Sequence, residues 1–109
     1  MGTLKYDGTS VDFPDHVLAH LEVVTIQKLR RQESFFMSWL EPESAGGGRT
    51  GIWVHPAAVL TFHYAANEPA KIDRGWVERL TFSASSAAGM MVSDAEGHPT
   101  PSSDPTRIY

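Results

Sequence analysis

The residues best equipped for covalent chemistry stand at the N-terminus, in Lys5-Tyr6-Asp7-Gly8. A lysine amine becomes a nucleophile once it loses its proton, and it can then attack the α-phosphate of ATP to leave a lysine–AMP adduct. Such a lysine needs burial or a neighbouring cation to bring its pKa down from about 10.4. It also needs carboxylates to hold a divalent ion and further cations to neutralise the phosphates. The activity this would imply is nucleotidyl transfer centred on Lys5, with ATP and magnesium as cofactors.

Lys-x-Asp-Gly is the motif in which ATP-dependent DNA ligases carry the adenylated lysine, and their pattern continues to Lys-x-Asp-Gly-x-Arg. Here Thr9-Ser10 follow the glycine, so the arginine is absent. The remainder of such a fold spans roughly twice this chain, and none of its other motifs occurs here. The same residues also make an ordinary hairpin turn. Asp-Gly suits a type I′ loop because both central residues need positive φ. With Asp7-Gly8 as the loop, Tyr6 faces Thr9 and Leu4 faces Val11. Leu4, Tyr6, Val11 and Phe13 then share one face, while Lys5, Ser10 and Asp12 share the other. One register sorts apolar from polar side chains, so the turn reading is preferred and no catalytic residue is assigned.

Other groups could bind rather than react. His16 and His20 are four apart, the spacing at which two imidazoles on one helix face can chelate a metal. A third ligand would have to come from Asp12, Glu22, His55 or His63. The segment 44–51 (SAGGGRTG) could cradle a phosphate with glycine amides and Arg49, but it lacks the Gly-Lys-Ser/Thr of a true P-loop. Lys28, Arg30 and Arg31 form the basic cluster of the chain, suited to an acidic partner or simply to a solvated helix end. Trp53 and His55 share a strand face and could form a ligand-binding pair. No Gly-x-Ser-x-Gly is present to support a hydrolase.

These residues must be held by one small domain, since 109 residues make a single core. Apolar residues at 41% and charged residues at 20% describe a globular chain rather than a disordered one. A net charge of −4 argues against a general nucleic-acid binder. With no cysteine, disulfides and thiolate zinc sites are excluded. No apolar run is long enough to span a bilayer, and the N-terminus enters a strand pattern at once. A cytoplasmic protein is therefore expected.

After the hairpin, Pro14-Asp15 announces a helix over about 15–32, with Asp15 as N-cap, Val17, Leu18, Leu21 and Val24 at intervals of three and four, and Leu29 extending the apolar face. Residues 34–40 (SFFMSWL) read as a central strand, apolar on both faces. A flexible connection follows over 41–51, then strands over 52–55 and 59–65. Asp73 caps a second helix over about 74–87, with Gly89 as its C′ stop and a short strand at 90–92. The fold expected is α+β: an antiparallel sheet with two helices on one face, in the order β-β-α-β-β-β-α-(β). The domain should span 1–93. Residues 94–109, rich in Ser, Pro, Asp and Gly, are expected to be a flexible tail whose Ile108-Tyr109 could dock.

The runs from Met1 to Gly8, Leu18-Ala19-His20-Leu21, Lys28-Leu29-Arg30-Arg31, Glu33-Ser34-Phe35, Ser38-Trp39-Leu40 and Arg49 through Ile52-Trp53-Val54-His55-Pro56 resemble a group of small actinobacterial proteins. That group is a domain of unknown function, many of whose members carry the automatic name "ATP-dependent DNA ligase". The resemblance covers about residues 1–92. It implies a single-domain cytoplasmic protein without an established activity, and it supplies no catalytic residues. The expectation is thus a non-enzymatic binding domain with an unidentified protein partner. Two helices cover only one face of a small sheet, so a homodimer is expected to cover the rest.

Overall fold

The computed structural model describes residues 1–103. The first hairpin joins β1 (Gly2–Tyr6) to β2 (Thr9–Phe13), with Leu4 opposite Val11 and Tyr6 opposite Thr9. Asp7 and Gly8 take φ of 43° and 83°, the doubly positive pair of a primed turn. Leu4 and Phe13 are buried on one face of this ribbon, and Lys5 is exposed on the other.

Helix α1 covers Asp15–Arg30 and buries Val17, Leu18, Leu21 and Val24 along a single stripe. Its N-cap is Pro14 rather than Asp15, and the proline offers no side-chain acceptor. Asp15 is the first helical residue, and its carboxylate is used elsewhere. It accepts from the backbone of Ala66 at 3.0 Å and Ala65 at 3.4 Å, and lies 3.4 Å from the terminal amine. These bonds, that from Ala66 above all, hold the Asp15 carboxyl below its ordinary range. At the other end, the Gln32 amide donates to the Leu29 carbonyl and the Glu33 amide to that of Lys28. This is a Schellman closure with a non-glycine residue in the left-handed position, Gln32 at φ 59°.

Strands β3 (Phe35–Leu40), β4 (Arg49–Val54) and β5 (Leu60–His63) follow, then α2 (Arg74–Ala84) and β6 (Met90–Met91). The fold is α+β, and the element order is the expected one. The strands divide between two three-stranded sheets, in the orders β2-β1-β5 and β4-β3-β6. The division arises because β5 returns to β1, pairing Phe62 with Leu4, instead of continuing beside β4. Among the named strands the pairings are antiparallel except β3 with β6, whose connection runs through α2. Helix α1 packs on β1 and α2, while α2 packs on β3 and β6. A single core unites the layers, and Phe13 of one sheet meets Trp39 of the other edge-to-face at 5.8 Å.

Helix α2 begins as expected, with the Asp73 carboxylate accepting from the Trp76 amide at 3.3 Å. It ends at Ala84 with Ser85 as C-cap, so Gly89 lies beyond the helix end. The early stop has a local cause. The hydroxyls of Ser83, Ser85 and Ser86 all bond back to backbone carbonyls and compete with the helical ladder.

Residues 94–103, expected to leave the domain as part of a tail, fold back on it. The Asp94 amide bonds the His98 carbonyl, and the Thr100 amide bonds that of Val92. Ser102 then donates to Leu40 at 2.8 Å, and Ser103 to Asp12 at 2.7 Å, so this segment crosses from one sheet to the other. Pairing partners, not composition, order these residues. The suggested docking of Ile108-Tyr109 lies outside the described residues.

Candidate functional site

Lys5 sits near the end of β1, opposite Ser10 on one side and Thr61 on the other. Its surroundings are a shallow depression formed by residues 5–10 with Val59 and Thr61. The one carboxylate lining that depression is Asp7 in the turn, and no second cation lines it. Nothing there would desolvate the amine, so Lys5 occupies hairpin surface rather than a pocket. Among the described residues, no group of three or more His, Asp or Glu side chains converges to hold a metal ion.

The two helical histidines part company. His16 is exposed, whereas His20 is 1% exposed. The Nδ1 of His20 lies 2.6 Å from the His16 carbonyl oxygen, and its Nε2 accepts from the Asp73 amide at 2.9 Å. That pattern selects the neutral tautomer with the proton on Nδ1. The ring stacks on Trp76 at 3.9 Å and 21°. With both nitrogens bonded to backbone, His20 ties α1 to the start of α2. Chelation with His16 would require breaking one of those bonds.

The basic cluster divides in the same way. Lys28 is only 9% exposed; its Nζ donates to the Ser85 hydroxyl at 2.7 Å and lies 3.3 Å from the Glu33 carboxylate. It clamps the end of α1 to the end of α2. Arg30 and Arg31 remain in solvent.

The glycine loop closes on itself rather than around a ligand. A 3-10 turn over Glu43–Ala45 leads to Gly46, whose amide bonds Glu43, and to Gly47, whose amide bonds Pro42. The Glu41 amide completes the closure on the Gly48 carbonyl at 2.9 Å. The Glu41 carboxylate is the hub of this region. It accepts from the Thr50 hydroxyl at 2.5 Å, the Ser102 hydroxyl at 3.0 Å and the Trp39 indole at 3.1 Å. These bonds, Thr50 first, hold its carboxyl below the usual range despite partial burial.

Beside α1, a concavity of about 610 Å³ opens between the helix and the loop after β5, lined among others by Asp15, Glu22 and Tyr64. Three of its polar side chains, Asp15, Glu22 and Tyr64, are bonded within the protein. The Tyr64 hydroxyl donates to Glu22 at 2.6 Å, and burial together with that bond pushes its pKa far up. Asp15 serves the Ala65 and Ala66 amides as described.

The exposed aromatic surface lies on the outer face of β3 and β4. Phe35, Met37 and Trp39 point into the core, so Phe36 must point out. Its cross-strand neighbour is Trp53, and Ser38 faces Gly51 and Leu40 faces Arg49 in the same ladder. A Cβ on Gly51 would lie 2.0 Å from the tip of the Phe36 ring, so the ring rests on the glycine. Trp53 is 56% exposed and Phe36 37%, and Arg49 is exposed at the far end of the same face. His55 lies just past β4, half-buried, in a turn closed by the Ala58 amide. The Tyr6 hydroxyl donates to the Trp53 carbonyl from the other sheet.

Of the sequence-derived candidates, Arg49 and Trp53 are therefore brought onto one face. Lys5, Lys28, Arg30, Arg31, His16 and His20 sit on other elements. Phe36 belongs to the strand that the sequence marks as apolar on both faces. Its alternation with Phe35 and Met37 along β3 is the signal that marks it as outward. Glu41 carried no sequence signal, because its three donors come from separate segments.

No curated protein and no solved structure matches the chain. A family model described as "Domain of unknown function (DUF7882)" matches residues 1–95, and the chain belongs to that family.

Proposed function

We propose that this chain is a small non-enzymatic binding domain, working in the cytoplasm, that recognises another protein through the Phe36–Trp53 face. One contrast carries the reading. The side chains with chemistry in them (His20, Lys28, Glu41, Asp15) are committed to holding the fold. Large aromatic side chains, by contrast, stand in solvent on a strand pair whose other face is the core. Exposed aromatics that share a face with an arginine have the composition of a protein-contact hot spot. The test is affinity capture from native cytoplasm with the intact chain and with Trp53→Ser, each checked for folding by circular dichroism. A protein retained by the first and lost by the second supports the reading; equal capture by both sinks it.

Nucleotidyl transfer at Lys5 is excluded or established by a separate measurement. Incubation with ATP and magnesium followed by intact-mass analysis is expected to leave the mass unchanged. An added AMP mass that vanishes in Lys5→Ala would overturn the non-enzymatic reading.

A further inference from the structure

The sheet β2-β1-β5 has two outer edges, and they differ. On the β2 side the Ser103 amide takes the Asp12 carbonyl. That bond also fixes the phase of the ladder. The Asp12 carbonyl points away from β1, so Thr3 opposite it bonds toward β5. Thr3 and Lys5 therefore bond His63 and Thr61, and the backbone N–H and C=O groups of Leu60 and Phe62 face outward. Among the described residues nothing pairs with them there.

Beside this open edge runs a groove of about 600 Å³ between β5 and α1, walled by Ile26, Leu29, Leu60 and Phe62. Thr25 also lines it, is 2% exposed, and among the described residues its hydroxyl has no hydrogen-bond partner. A buried hydroxyl in that state costs free energy that a group entering the groove can return. At one end Glu22 already accepts from Tyr64, just past β5. Arg30 lines the other end, about 12 Å further along α1 at a rise of about 1.5 Å per residue. It is exposed, and among the described residues it forms no ion pair.

We infer that this groove takes an extended segment of another protein, which adds beside β5 as a fourth strand. The open edge selects a strand, because only extended backbone offers free N–H and C=O groups at the spacing of Leu60 and Phe62; a helix has spent its own. Antiparallel to β5, the segment has its C-terminal end at Leu60 and Arg30. Its inward side chains recur at every second residue. Two of them pack on the apolar wall, one carrying a hydroxyl that reaches Thr25, and the next is acidic and meets Arg30. A second β5, Leu60-Thr61-Phe62-His63, has no carboxylate to place there. The groove is separate from the Phe36–Trp53 face, and the inference does not rest on that reading.

A random heptapeptide library displayed on phage and selected on the full chain tests this. Enriched clones should alternate an apolar residue and a Thr or Ser with a final Asp or Glu. A synthetic peptide of the enriched sequence should slow amide exchange at Leu60 and Phe62 at least about tenfold, Thr61 and His63 being slow without it. Arg30→Glu, at an exposed position, should weaken that peptide at least about tenfold and on reselection favour Lys or Arg in place of the acid. Thr25→Val should weaken it at least about threefold while the urea midpoint holds or rises, since an unsatisfied hydroxyl has been removed. Trp53→Ser should leave binding unchanged. No enrichment over selection without the protein overturns the inference. So do clones indifferent to Arg30→Glu and Thr25→Val, clones lost with Trp53→Ser, or a bound peptide that leaves Leu60 and Phe62 exchanging as before. Protection of those amides that grows with protein concentration in the absence of peptide places a second copy in the groove and overturns it too.

Discussion

Replacing Glu41 should weaken the fold out of proportion to its partly exposed position. Three donors from three segments converge on its carboxylate: the Trp39 indole, the Thr50 hydroxyl and the Ser102 hydroxyl. In Glu41→Ala the two hydroxyls can turn toward water. Trp39 is 1% exposed, however, and its N–H would be left without an acceptor. An unsatisfied buried donor costs about 1–3 kcal/mol, and a lost bond to a charged group costs about as much again before solvent compensates. A destabilisation of about 2–3 kcal/mol follows, or a fall in Tm of about 8–12 °C for a domain of this size. Glu41→Gln keeps one carbonyl acceptor and should lose about half as much.

The pH dependence supplies the sharper control. The folded pKa of Glu41 is lowered, so its contribution is fully present above the unfolded value of about 4.3 and is lost as pH falls through the folded one. Asp15 and Asp94 are lowered as well, so the wild type should weaken in acid for several reasons. The diagnostic quantity is the difference between wild type and Glu41→Gln, from urea midpoints read by tryptophan fluorescence. It should shrink between about pH 7 and about pH 3. A Glu41→Ala variant within about 0.5 kcal/mol of wild type at neutral pH would refute this reasoning. So would a difference from Glu41→Gln that stays constant with pH.

Gly8→Val should destabilise the protein by about 1 kcal/mol or more, because a β-branched residue resists the φ of 83° that closes the first hairpin; an unchanged urea midpoint would contradict this. Gln32→Gly should act in the opposite sense, raising stability by about 0.5–1 kcal/mol by relieving the left-handed strain that ends α1, less what glycine's greater unfolded freedom takes back. The same denaturation series reads both.

The elements of this protein were legible in the sequence wherever a short-range cause sets them. Asp7-Gly8 and the alternation around it specify the first hairpin and its register, since turn chemistry and period-two patterning act within a few residues. The spacing of Val17, Leu18, Leu21 and Val24 specifies α1, and Asp73 specifies the start of α2. What the tertiary structure alone decided are the choices among partners remote in sequence. β5 could have extended the β3–β4 ladder, but it returned to β1, and one expected sheet became two. His20 looked like half of a chelate until the Asp73 amide took its second nitrogen. Residues 94–103 have the composition of a tail, yet Leu40 and Asp12 hold their backbone. Phe36 and Phe82 have core-type side chains, yet they are left outside because the core faces of β3 and α2 are already filled. Local pattern states which residues can be buried together. Only the closure of the whole chain states which of them run out of room.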